Sequence, residues 1–302
     1  MFRRWVDVGK LPISSEPIVI DAQTFQEMLD EAQPGDVIKI GPCVIEGNFV
    51  TKNDGQLDRP IVVFSDGNTI LRPPPDGGGP ILLIQNSNYV FDGFEFDMAG
   101  RPGYAVQVFQ TDNVQLSNNR IHGARDCSGS GSAAGGVHIR GNRGKAVVGV
   151  RIRDNEIYEN FAFGAGPSAG QVSACATLDW ADLSQVQCDA LRDGPQQDAN
   201  GVYMDHFVQC VDIRRNEIYN NGGDGIQCEA TETAGRTSFG IVVADNRIYT
   251  DTPCSDCGGA CRGWTENAID FKNCHQIRVT SRLLKNPAFP RSAGIDPIRS
   301  LP

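Results

Sequence analysis

The sequence predicts an all-β solenoid, a chain wound into coils of short parallel strands, and two repeated phrases carry that expectation. The first phrase reads apolar, any residue, apolar, two residues, Asn, Arg or Glu, Ile, aromatic. It runs from Val114 to His122, Val150 to Tyr158, Val211 to Tyr219 and Ile241 to Tyr249. Such self-similarity marks a stacked-repeat architecture. Apolar residues two apart and rich in Val and Ile mark strands, whereas a helix needs spacings of three and four. The second phrase is a small residue followed by in–out alternation: Ala105–Val108, Gly136–Ile139, Gly201–Met204 and Gly225–Cys228, with a fifth at Ala268–Phe271. One coil therefore holds at least two strands. The shortest period, Met204 to Cys228, cannot bury its own apolar face, so neighbouring coils must stack on it.

In chain order, residues 1–19 read as an N-terminal extension and residues 20–281 as the solenoid. Thr24 to Ala32 is patterned as a short amphipathic helix. Gln33-Pro34-Gly35-Asp36 then turns the chain into a first strand, Val37–Ile40. The repeated Asn119, Asn155, Asn216 and Asn246 sit where the strand must bend. Asn tolerates unusual backbone angles there, and stacked amides can hydrogen-bond from coil to coil. Three long insertions fall at one place in the repeat: His122 to Gly135, Tyr158 to Asn200 and Tyr249 to Glu266. They are expected along one edge, where insertions build binding faces. The final copy keeps Ile277 and Val279 but has Arg282 in the Asn place. The Pro-rich segment 282–302 reads as a non-repeat tail, truncated or disordered.

These residues resemble the right-handed parallel β-helix repeat of the pectate lyase-like superfamily. The helix, the Pro-Gly-Asp turn and the first strand resemble the N-terminal cap of that family. Glu46-Gly47-Asn48 through Arg59-Pro60-Ile61-Val62-Val63 resembles its first coil, including in polysaccharide lyases. The resemblance covers roughly residues 20 to 281. It implies a right-handed, single-stranded parallel β-helix with a short capping helix. It fixes no reaction, because this fold hosts lyases, hydrolases, epimerases and adhesins.

A net charge of -10 argues against a general nucleic-acid or anionic-membrane binder. No window approaches about 18 consecutive apolar residues, the length needed to span a bilayer. Met1 to Lys10 is basic but lacks the apolar run of a signal peptide, so a leader is expected upstream. Of the ten cysteines, Cys228 and Cys274 lie on or beside core strands and read as buried small hydrophobes. Cys175 and Cys188 share one loop; Cys254, Cys257 and Cys261 share another. Loop cysteines favour disulfides and an extracellular or periplasmic setting. The last set remains open to zinc or an iron–sulfur cluster, with Cys274 or His275 as fourth ligand.

Alternation across the strand fixes what points outward. With Val137, Ile139, Val202, Met204, Ile226 and Cys228 inside, one outward column is Gln107, His138, Tyr203, Gln227, Asp270. The other is Phe109, Arg140, Asp205, Glu229, Lys272. His206 follows just past its strand, while the strand after the Asn turn offers nothing comparable. His122 and His275 read as turn or surface residues. The resemblance implies a sugar chain along this face and β-elimination on an acidic polysaccharide. A base must then take the proton beside a uronate carboxylate, which a cation must neutralise. Asp205, Glu229 and Asp270 are candidate Ca²⁺ ligands, Lys272 or Arg140 the candidate base, and Tyr203 or His138 the assisting groups. Phe109, Gln227 and His206 are candidate sugar contacts, and the partner is a polysaccharide met by a monomer. A glycoside hydrolase with paired carboxylates, or a non-catalytic carbohydrate-binding solenoid, are the alternatives.

Overall fold

The computed structural model describes residues 20–128, 134–163, 167–178, 184, 187, 199–230, 237–250, 253–254, 259–260 and 267–280. The N-terminal extension, the tail, Cys188, Cys257, Cys261 and the side chain of Cys254 lie outside the described residues.

A helix at Ala22–Glu31 opens the described chain. Its N-cap, Asp21, accepts the Thr24 amide at 2.8 Å, which satisfies one of the end donors. Its inner face buries Phe25 and Leu29, and Phe25 meets Phe49 of the first coil edge-on at 4.8 Å. The helix thereby covers one end of the core. The Gln33–Asp36 turn closes through the Asp36 carboxylate on the Gln33 amide at 2.7 Å, with Gly35 at φ +94°. The strand Val37–Ile40 follows as expected.

From there the strands of successive coils pair in parallel. One ladder joins Phe49–Val50, Leu82–Ile84, Gly103–Phe109, Ala134–Arg140, Val202–Met204, Ile226–Glu229 and Ile269–Lys272. A second, 13-stranded sheet contains both halves of the repeated phrase, split at the Asn corner. A third sheet, of two-residue strands at Val147–Val148, Val208–Gln209, Ser238–Phe239 and Cys274–His275, was not legible in the sequence. A full coil thus carries four short strands, meeting the expectation of at least two. Register is repeat on repeat: Ile121, Ile157, Ile218 and Ile248 stack in one column. The first three are fully buried, each worth roughly 2 kcal/mol of apolar burial.

The corner asparagines form a continuous amide ladder. Asn119 donates to Asn155 at 3.0 Å, Asn155 to Asn216 at 3.0 Å and Asn216 to Asn246 at 2.9 Å. The unusual backbone angle belongs not to these residues but to the ones before them: Asn118, Asp154, Arg215 and Asp245 have φ between 54° and 58°. That left-handed step turns the chain, and the Asn then aims its amide along the stack. A second ladder, Asn160 to Asn221 at 2.8 Å, went unrecognised.

Two of the long insertions meet. Arg125–Asp126 pairs with Phe161–Ala162, and Cys127 is disulfide-bonded to Cys175 of a second helix, Ala169–Ala176, also unforeseen. Cys228 and Cys274 are likewise disulfide-bonded, which corrects their reading as separate apolar thiols. Cys274 lies on the two-residue strand of the third sheet, with its Cα 6.4 Å from that of Cys228. Among the described residues no helix is long and apolar enough to cross a membrane.

Candidate active site

The strand register builds both outward columns. Gln107 aligns with His138, His138 with Tyr203, Tyr203 with Gln227 and Gln227 with Asp270. Phe109 aligns with Arg140, and Glu229 with Lys272. Asp205 follows the end of its strand, with its amide still bonded to Ile139 O at 2.9 Å.

These residues do not all face solvent. Asp205 is buried at 7% exposure, and His138 at 6%. Arg140 Nε lies 3.3 Å from Asp205 Oδ2, and His138 Nε2 lies 3.9 Å from the same oxygen. His206 Nδ1 lies 2.8 Å from Oδ1, which also accepts the His206 amide at 2.8 Å. Burial alone would raise the Asp205 pKa, but the approach of His138, the His206 amide, and the charges of His206 and Arg140 hold it below the ordinary carboxylate range. Asp205 is therefore ionised. Burial is the main force lowering the His138 pKa, helped by Arg140 and His206 and opposed by Asp205.

Tyr203 donates its hydroxyl to Glu229 Oε2 at 3.1 Å. Burial, then the charges of Asp205 and Glu229, push its pKa well up, so it stays protonated. Its ring stacks on His138 at 5.2 Å. Tyr104, on the adjacent coil, reaches the same imidazole at 4.5 Å. It gets there by leaning across Gly135, where a Cβ would sit 2.6 Å from Tyr104 Cε1 and 2.8 Å from Asn200 O. Tyr104 was missed by sequence reasoning; the doubled glycine at 135–136 was its only signal.

The remaining candidates spread along the face. Lys272 Nζ lies 3.1 Å from Asp270, and Gln227 is buried and accepts the Asn200 amide at 2.8 Å. Gln227 thus braces the coil and does not offer a sugar contact. Phe109 lies beside Arg140 on the neighbouring rung. Arg140 and Lys272 present the exposed ends of the file, at 48% and 46%. Asp205, Glu229 and Asp270 do not converge: among the described residues no three His, Cys, Asp or Glu side chains gather as a metal site. Their oxygens are directed to Arg140 and His206, to Tyr203 and to Lys272, so this donor set does not fit a Ca²⁺ ion.

The strand after the Asn corner does carry a second surface column, contrary to expectation. His122, Tyr158, Tyr219 and Tyr249 stack at 4.6, 4.9 and 5.1 Å. Tyr219 and Tyr249 donate to Glu156 and Glu217 of the preceding coil at 2.6 and 2.7 Å. The inner rings cover each other's faces, which leaves no platform for a sugar; the column ties coils together.

No protein-family profile and no curated protein matches this chain. Among solved structures it is similar to an alginate lyase from Paenibacillus sp. str. FPU-7, at 17% identity and TM-score 0.37, covering 86% of this chain and 97% of that one. It is similar to pectate lyase Pel9A, at 12% identity and TM-score 0.41, covering 90% and 78%. It is also similar to the A-module of the mannuronan C-5 epimerase AlgE6 of Azotobacter vinelandii, at 12% identity and TM-score 0.29, covering 87% and 94%. These scores give no residue-to-residue correspondence. The parallel β-helix stands on its own strand register.

Proposed function

We propose that the protein is a polysaccharide lyase that cleaves a 4-linked uronate polymer by β-elimination, with the sugar chain lying along the outward file. The observation that carries this reading is the Tyr203–Glu229 hydrogen bond beside the Arg140–Asp205 ion pair. Tyr203 oxygen takes the proton beside the uronate carboxylate while its own proton passes to Glu229. Arg140, permanently charged and braced by a buried carboxylate, stabilises the enediolate that forms. The electron pair then makes the carbon–carbon double bond as the bond to the 4-linked oxygen breaks. Tyr203 returns a proton to that oxygen, and Glu229 returns its own to Tyr203. Lys272, held by Asp270, binds a neighbouring carboxylate. Arg140 is assigned as cation and not as base, because a guanidinium does not lose its proton in proteins.

A glycoside hydrolase would need a carboxylic acid kept protonated beside a second carboxylate. Asp205, the carboxyl at the centre of the cluster, is held ionised instead, which favours elimination. The disulfides Cys127–Cys175 and Cys228–Cys274 support an extracellular or periplasmic setting. The test is incubation with alginate, pectate and glycosaminoglycans while following the ultraviolet absorbance of the unsaturated product. New reducing ends without that absorbance would replace elimination by hydrolysis. Neither signal would leave a binding protein.

A further inference from the structure

We propose that the stretch of the outward face between Lys52 and Arg140 is a subsite for uncharged sugar residues, such as ester-capped uronates. The polymer then lies with a neutral stretch on one side of Arg140 and free uronates on the other. The line of the sugar chain rests on the lyase reading; the charge of the surface does not.

The outward columns do not begin at Arg140. Phe49–Val50, Leu82–Ile84 and Gly103–Phe109 carry the same ladder back toward the capping helix. Val50 aligns with Leu83, Leu83 with Gln107, and Phe109 with Arg140. Phe49, Leu82 and Val106 are buried in the core, so alternation turns Val50, Leu83, Gln107 and Phe109 outward, each half-buried. Gln85, one place past its strand, is exposed. None of these five side chains carries a charge. From Arg140 onward every rung carries one, on Arg140, Asp205, Glu229 and then Asp270 with Lys272. Lys52, exposed two places past Val50, closes the neutral stretch three rungs from Arg140, a span of about 14 Å.

This surface discriminates by charge. A free uronate laid on Leu83 and Phe109 would give up water from its carboxylate with no cation opposite it, which is costly. An uncharged ring carries no such cost, and its C–H face can rest on the aromatic ring of Phe109. The amides of Gln85 and Gln107 each hold a donor and an acceptor for sugar hydroxyls. Gln107 keeps its amide oxygen for this use, since its nitrogen approaches His138 Nδ1 at 3.3 Å. A methyl ester removes the carboxylate charge and adds one methyl group to bury against Leu83. The same ester placed beyond Arg140 would forfeit its attraction to Arg140 and Lys272, the exposed cations of the charged half.

The experiment digests partly methyl-esterified alginate and pectate with the full chain and counts, by mass spectrometry, the esters on either side of each new cut. Esters are expected to favour one side by about fourfold, the factor that burying one methyl group gives. Leu83→Lys places a cation in the neutral stretch and is expected to cancel or reverse that bias. Where this variant does not fold, Leu83→Gln removes the apolar contact and is expected to bring the two sides toward equality. Equal ester content on both sides in the native digest overturns the proposal, as does a bias unchanged in the variant that folds. A native chain that cleaves neither polymer overturns the lyase reading instead. Calorimetry with the same two polymers then decides the subsite: the native chain must bind an esterified polymer more tightly than the Leu83 variant does, and equal affinity overturns the proposal.

Discussion

Tyr203 gives its hydroxyl hydrogen to Glu229 of the next coil across 3.1 Å, and both residues stand outside the barrel of apolar side chains. The strand register makes this contact, because Tyr203 and Glu229 lie on adjacent rungs, two residues apart in phase. A phenol with a high pKa is a poor base alone. Joined to a carboxylate it can accept one proton while releasing another.

Tyr203→Phe keeps the ring stacked on His138 and removes only the hydroxyl. The rate of unsaturated-product formation is expected to fall by about 10²- to 10⁴-fold, the range for loss of a positioned acid–base group. KM should change little. A variant within threefold of the native rate would remove Tyr203 from the mechanism.

Asp205, Glu229 and Asp270 are each taken up by protein donors, so Arg140 and Lys272 are the groups that meet the substrate's negative charge. Exhaustive chelation followed by dialysis is therefore expected to leave the rate within about twofold. Arg140→Gln is expected to lower kcat/KM by about 10²-fold or more, through lost stabilisation of the enediolate. A rate abolished by chelation and restored by Ca²⁺ would return Asp205, Glu229 and Asp270 to the role of ligands.

The asparagine ladder gives a stability test away from the site. Asn155 is buried; it donates to Asn216 and to Leu116 O, and accepts from Asn119. Asn155→Ala removes the acceptor of the buried Asn119 main-chain and side-chain amides and the donor to Leu116 O, at a cost on the order of 3 kcal/mol. Gln23→Ala, at an exposed side chain of the capping helix, should cost almost nothing. Equal denaturant midpoints for the two variants would show that the ladder is not what joins the coils.

The coil was legible because alternation and repeat length act locally, and every copy repeats them. Ile121, Ile157, Ile218 and Ile248 fall in one column in the structure as the repeated phrase requires. The outward columns followed from the same alternation. What lay hidden depends on neighbours that only the fold brings together. Tyr104 comes from a different coil to cover His138, through a gap left by Gly135. Cys228 pairs with Cys274 of the third sheet, whose two-residue strands are too short to show a period. Asp205 was read as a metal ligand because its exposure was inferred from strand phase alone. In the structure Asp205 is buried at the end of its strand, and its oxygens are directed to Arg140 and His206.

His138 also sets a pH dependence of stability that can be separated from catalysis. Its folded pKa is lowered, chiefly by burial, while in the unfolded chain it titrates near about 6.5. As pH falls through that value, the unfolded chain binds a proton that the folded chain refuses. Stability therefore drops with falling pH, beginning near the unfolded pKa and ending at the folded one. Asp205 acts in a lower window. Its folded pKa is depressed, so its contribution is present above the ordinary carboxylate range and lost only as pH falls through the folded value. His138→Gln isolates the first effect between about pH 7.5 and 5, above the range in which carboxylates titrate. The native chain should be more stable than the variant at the higher pH, because its ring packs between Tyr104 and Tyr203. That advantage should shrink as the solution is acidified. A gap in denaturant midpoint that stays constant or widens on acidification would mean that the folded chain takes up this proton as readily as the unfolded one, and that burial does not keep the imidazole from charging.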